Sequence, residues 1–241
     1  LAVSLTFGWW EHGWVPAFSG AWQAWALSPG FSSWKFALAI PRLSAGVMEL
    51  AVTMLAVYGA GRPFAAWAGF RREGFGRQVV SMASGFGMVS FFFQGLGLAS
   101  LLFPPLIAAG CGLAVLSGLV CLVSGRPWRA WHFPGPGLRL PAAGTILVLA
   151  SMLLLARMPD THDDARQYHL AAPEQYVLLH KINAEPGHFV WHMPLGMEMD
   201  FLPAFLFGDI EGAKTVALAS FLVLLGAVFL LAGSLAPPRQ G

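Results

Sequence analysis

An all-α, polytopic transmembrane protein is what this sequence predicts, on three observations. Hydrophobic residues make up 56% of the 241 and charged residues only 11%, where soluble domains carry about 25% charged residues. Mean hydropathy is +0.63. The apolar residues fall in runs near the roughly 20 residues that a helix needs to cross a hydrocarbon core of about 30 Å, and a chain of this length holds on the order of five or six such runs.

Charge and cysteine usage narrow the class further. The formal charge is +2, and the basic residues sit in short clusters beside apolar runs, where they set orientation; nucleic acid is not a partner on this reading. Cys111 and Cys121 share one apolar run without Cys-x-x-Cys or Cys/His spacing, so they read as small buried residues. The chain opens at Leu1 inside an apolar run, with no initiator Met, basic n-region or small-residue cleavage site, and no signal peptide is expected. The stretch from Leu235 to Gly241 stops just past a helix, so the N-terminal fragment of a longer membrane protein is expected.

The elements follow in order. Residues 1–34 carry Trp9, Trp10, Trp14, Trp22, Trp25 and Trp34, broken by Glu11-His12, Pro16 and Ser28-Pro29-Gly30. Indole rings favour the headgroup level, so a partial helix and interfacial structure are expected there, with an aromatic binding surface as the alternative. Residues 43–61 form a span with Glu49 about two turns inside, where its carboxylate reaches the interface or a polar partner. A basic loop follows over 62–77, with Arg62-Pro63, Arg71-Arg72 and Arg77. Residues 79–100 and 106–125 make a helical hairpin, because Phe103-Pro104-Pro105 removes backbone donors between them. The loop 126–139 is basic and rich in Pro and Gly, residues 142–157 are the next span, and Ala213 to Ala232 is the last.

The positive-inside rule puts the arginines of 62–77, 126–139 and Arg239 in the cytoplasm. Parity then places the Pro104-Pro105 turn and residues 159–211 together on the outer face. Fixed-period repeats are absent. The glycines Gly85, Gly87, Gly95, Gly97, Gly110 and Gly112 suit close helix packing in lipid. The chain thus divides into N-terminal helices and loops, 1–141, and a unit of span, outer loop and span, 142–241.

Residues 159–211 are a polar island between two apolar helices and the place where chemistry is expected. Nine of the twelve acidic residues lie there, among them Asp160, Asp163, Asp164, Glu198, Asp200 and Glu211, with His162, His169, His180, His188 and His192 of the seven histidines. A connection of this length between packed helices is more often functional than idle. Asp164 can cap a helix running through Tyr168. Pro173 can start another through Ile182, with Tyr176, Leu179 and Ile182 on one apolar side, lying in the membrane surface. Residues 195–207, apolar apart from Glu198 and Asp200, suggest a second juxtamembrane helix.

An ordered series of short pieces then carries a resemblance. Asp164-Ala165-Arg166-Gln167-Tyr168-His169-Leu170, Pro173, Tyr176, Pro194-Leu195-Gly196-Met197-Glu198-Met199, Gly208-Asp209 and Ala213-Lys214 together resemble the first outer loop of GT-C-type membrane glycosyltransferases. The likeness is to the phospholipid-carrier-dependent group that includes protein mannosyltransferases and the aminoarabinose transferase, and it covers 142 to about 232. Each piece is weak alone; their order and spacing carry the match. The resemblance implies transfer of a sugar from a polyprenyl phosphate carrier in the membrane lipid to an acceptor on the outer, periplasmic side of a bacterial inner membrane.

By the same resemblance the catalytic acidic residue falls on Asp164, as general base toward an acceptor hydroxyl, with Asp163 and Asp160 as neighbours that can serve instead. Tyr168 accompanies it toward the cavity. A leaving polyprenyl phosphate calls for cations or donors; where relatives place a Lys before Pro-Pro-Leu this chain has His192-Met193-Pro194-Leu195, so His192 takes that position, with Lys181, Arg166 and His169 as further candidates. Glu198 matches the family's Glu on the second juxtamembrane helix, in a hydrogen-bonding or catalytic role. No cofactor is implied. A divalent metal held by His162, Asp163, Asp164 and His169, or by His188 and His192 with Glu198, is the alternative and would indicate a hydrolase or transporter; the spacing lacks His-Glu-x-x-His. A non-catalytic pigment or haem subunit would need histidines within spans, and the sequence places none there.

Overall fold

The structure, a computed structural model, describes residues 33–70, 74–125, 139–157, 169–183, 196–206 and 210–235. Among these every regular element is helical: α1 Ser33–Trp67, α2 Phe75–Leu98, α3 Pro104–Gly125, α4 Arg139–Ala156, α5 Ala171–Leu179, a 3-10 turn Glu198–Phe201, α6 Leu202–Leu206 and α7 Ile210–Leu235. Four stretches are long and apolar enough to cross a bilayer, Leu43–Trp67, Phe75–Leu98, Pro104–Ser124 and Ile210–Ala232. The protein is a multi-pass integral membrane protein of all-α class. In α4 the apolar stretch is Ala143–Ala156, shorter than the predicted span 142–157. The Trp-rich start lies outside the described residues.

The first span runs past its predicted end at Gly61, and Arg62 and Pro63 belong to the helix rather than to a basic loop. Two interactions explain why. The Arg62 guanidinium donates from Nη1 to the Tyr58 hydroxyl at 2.7 Å and to the Cys121 carbonyl at 3.0 Å. Pro63 has no N–H for the carbonyl four residues back, that of Gly59, and the Ser117 hydroxyl donates to that carbonyl at 3.1 Å instead. A neighbouring helix thus supplies the donor that proline withholds.

Glycine brings three helices close. A Cβ on Gly61 would meet the Ser81 carbonyl, one on Gly85 the Val57 carbonyl, and one on Gly59 or Gly118 the backbone of the facing helix. The predicted packing role therefore holds at Gly85 and also at Gly97 and Gly110, whose Cβ positions would collide with Ile182 and Phe92. It does not hold at Gly87, Gly95 and Gly112, where a Cβ would meet nothing within 4 Å.

A second group of polar contacts lies at the opposite end of the bundle from Arg62. Arg157, just past α4, donates from Nη1 to Glu49 Oε2 of α1 at 2.7 Å, and its Nε lies 3.2 Å from Glu211 Oε2 of α7, at ion-pair distance but not aligned as a hydrogen bond. Glu49 thus has a charged partner, one of the two outcomes expected of it. On the other side of the same end, the Leu102 N–H donates to the His180 carbonyl at 3.0 Å and the Ile182 N–H to the Gly97 carbonyl at 3.0 Å. The island's described segments and the turn before Pro104 therefore lie together at one end of the bundle.

Candidate functional site

Three short elements of the island close this end. Helix α5 starts at Ala171, two residues before the predicted Pro173, which still lies in the first turn where no N–H is needed. It stops at Leu179, short of the predicted Ile182, because His180 takes a left-handed conformation with φ 57°. The His180 ring holds that conformation, since a carbonyl can only accept and Nδ1–H donates to the Leu102 carbonyl at 3.1 Å. The helix packs inward on Ala172, Pro173, Tyr176 and Val177, while Leu178 and Leu179 are exposed. Of the predicted apolar side, Tyr176 is buried and Ile182 packs against the core, while Leu179 is exposed instead.

The second juxtamembrane helix expected over 195–207 resolves into the 3-10 turn Glu198–Phe201 and the short α6. All four residues of the turn are buried. The Ser90 hydroxyl donates to the Gly196 carbonyl and ties the start of the turn to α2. With three residues per turn, Glu198 and Phe201 eclipse each other, and Asp200 points about a third of a turn away. The consequence is a partition with a carboxyl on either side. Glu198 and Phe201 face a cavity of about 370 Å³ shared with His169, Met197, Ala213 and Lys214. Asp200 faces a larger, apolar groove of about 710 Å³ between α1, α2 and α3.

His169 Nδ1 stands 2.6 Å from Glu198 Oε1, and a carboxylate at that distance accepts the ring's N–H, which fixes the imidazole's orientation toward the smaller cavity. Burial, with the Glu198 charge adding to it, pushes the Asp200 carboxyl up to about 8. The same two causes in the same order raise the Tyr176 hydroxyl, and burial alone raises Glu174. Asp200 is 5% exposed, and its Oδ1 has no hydrogen-bond partner among the described residues.

Of the residues singled out in the sequence, His169 and Glu198 come together across 29 positions of chain. Lys181 is exposed and lines neither cavity. Asp163, Asp164, Tyr168 and His192 lie outside the described residues, as do Asp160, Arg166, His162 and His188. Among the described residues no three of His, Cys, Asp and Glu come together in a way that could hold a metal ion. Sequence reasoning did not assign a site role to Lys214 or Asp200. The available signal was a charge set in an apolar stretch, Lys214 at the head of the last span and Asp200 before Phe201-Leu202-Pro203. No family model, curated protein or solved structure matches the chain.

Proposed function

We propose that this chain belongs to a membrane transferase that moves a sugar from a polyprenyl phosphate to an acceptor hydroxyl at the outer face. One observation supports the reading above the others: a cation, an imidazole and a carboxylate, Lys214, His169 and Glu198, line a cavity at one end of a membrane bundle, next to a groove lined by apolar side chains. Transfer from a lipid carrier needs donors for the departing phosphate and an apolar environment beside them. In the proposed reaction the acceptor oxygen attacks the anomeric carbon, the bond from that carbon to the phosphate oxygen breaks, and the acceptor proton passes to a base. The resemblance gives Asp164 that role. Lys214 and the oriented His169 ring would face the charge that develops on the departing phosphate.

The test is sugar transfer by full-length protein at matched expression. Asp164→Asn is expected to lower transfer about 10²- to 10⁴-fold, and Lys214→Gln about 10²-fold, as for loss of one donor at a developing anion. Normal transfer in Asp164→Asn with collapse in Asp163→Asn would move the base by one residue. Collapse in Lys181→Gln with normal transfer in Lys214→Gln would move the phosphate contact to the exposed lysine. Absence of transfer from any polyprenyl phosphate donor in the wild-type protein would refute the proposal.

A further inference from the structure

The larger groove has features that a lipid-filled seam between helices does not need. It is concave and about 710 Å³, inside the range of roughly 300–1,000 Å³ typical of small-molecule sites. Met88, Phe92 and Leu113 line it and are themselves exposed, so it opens sideways. Ser117 is another polar residue on its wall, and its hydroxyl is committed to the Gly59 carbonyl. At the island end stands Asp200, with Oδ1 buried and lacking a hydrogen-bond partner among the described residues. A buried carboxyl oxygen without a partner is a destabilising feature, and a bound group that supplies the missing hydrogen bond would relieve it.

We propose that this groove is a binding site for a lipid alcohol, its chain lying between α1, α2 and α3 and its hydroxyl hydrogen-bonded to Asp200. The charge arrangement selects a hydroxyl. Among the described residues no lysine or arginine lines this groove, so a phosphate headgroup placed here would meet the Asp200 carboxyl with no cation to offset it, whereas a hydroxyl needs only one acceptor. The lysine that could attract a phosphate, Lys214, lines the other cavity. The partition Glu198–Phe201 would thereby sort two substrates by charge, with the anionic donor on the Lys214 side and the neutral hydroxyl on the Asp200 side. Naming that hydroxyl as the sugar acceptor rests on the transferase reading; the binding site does not. Asp200 is a positioning residue in this scheme, and the attacking proton leaves to the base described above.

Binding is read without turnover, by photolabelling full-length protein in lipid nanodiscs with three probes of equal chain length and a mid-chain diazirine: an alkyl alcohol, an alkyl phosphate and an alkylamine. The alcohol is expected to label peptides spanning Val52–Pro63 and Ala108–Ser117 at least tenfold more than the phosphate does. Asp200→Leu should lower that labelling about tenfold, while Asp200→Asn, whose side chain still accepts from a hydroxyl, should stay within about threefold of wild type. Gly112→Phe should also abolish it, because Gly112 lines the groove and a Cβ there meets nothing within 4 Å, so the ring fills the space without forcing the backbone. Equal labelling by alcohol and phosphate overturns the proposal, as does preference for the amine or indifference to Asp200→Leu in a variant that melts no lower than wild type. If Asp200→Leu fails to fold, the three-probe comparison on wild type and the Gly112→Phe arm decide. An unlabelled groove in an active transferase sinks this site alone, and a labelled groove in a protein without transfer activity sinks the transferase reading alone.

Discussion

Replacing Asp200 by Asn should stabilise the protein more the higher the pH, and the size of the effect follows from where the carboxyl sits. Burial and the Glu198 charge raise it from an ordinary value of 3.8 to about 8. The folded state therefore holds this proton over a pH window in which the unfolded chain has released it. For an acid raised on folding the sign is fixed: stability is unaffected below pH 3.8, falls as pH rises from there to about 8, and is level above. Each unit of that window corresponds to about 1.4 kcal/mol. Between pH 5.5 and 8 the wild type should therefore lose roughly 3 kcal/mol relative to Asp200→Asn, reduced to ~2 kcal/mol by relaxation and water entry around the charge.

Thermal melts of the purified pair across pH 5.5–8.5 measure this directly. At roughly 2–4 °C per kcal/mol for a chain of this size, the melting difference in favour of Asp200→Asn should widen by about 4–8 °C across the window. Subtracting one curve from the other cancels the other titrating groups, apart from the response of Glu198 to losing its neighbour. Parallel curves would mean that Asp200 ionises normally, and both the partition and the buried, unpartnered oxygen would then be misplaced.

Other outcomes follow from the packing. Cysteines at Lys181 and Leu101, both exposed at the island end, should react together with an impermeant reagent from outside, while one at Ala68, at the other end of α1, should not; labelling of Lys181 and Leu101 from opposite sides would break the parity. Arg157→Gln should destabilise by about 1–3 kcal/mol, because it removes charge-assisted contacts to two partly exposed carboxylates, with Arg157→Lys recovering part; an unchanged melting temperature would show that this ion group does not hold α1, α4 and α7. Gly85→Leu should prevent α1 from packing on α2, whereas Gly87→Leu should fold normally, since only the first places side-chain atoms against a facing carbonyl; equal behaviour of the two in a folding assay would refute the close approach.

Hydropathy made the bundle legible, because in lipid the backbone must bond within helices and long apolar runs have few other solutions. Positions where one helix answers another were not legible. Pro63 reads as a stop until Ser117, 54 residues on, is seen to donate to the Gly59 carbonyl. Gly85 and Gly87 are equivalent in composition, and only the rotation of α2 decides which faces α1. Helix α5 ends at Leu179 rather than Ile182 because the acceptor for the His180 ring, the Leu102 carbonyl, belongs to another turn. The His169–Glu198 pair spans 29 positions with no local spacing rule to announce it.

The distribution of polar groups points to the same end of the molecule as the sequence did, by a separate argument. At the opposite end Arg62 is satisfied by the Cys121 carbonyl and the Tyr58 hydroxyl, and its role is explained by folding. At the island end Arg157, His169 and His180 also have named partners. Ser81 Oγ of α2 is also buried without a hydrogen-bond partner among the described residues; Asp200 differs in being a buried carboxyl beside another carboxyl, with a groove in front of it. Folding alone would favour Asn or Leu there, since either removes the penalty of a buried acid. A buried acid that works against stability and lines a groove, one short turn from a histidine, a glutamate and a lysine, is the residue whose place the proposed hydroxyl ligand would explain.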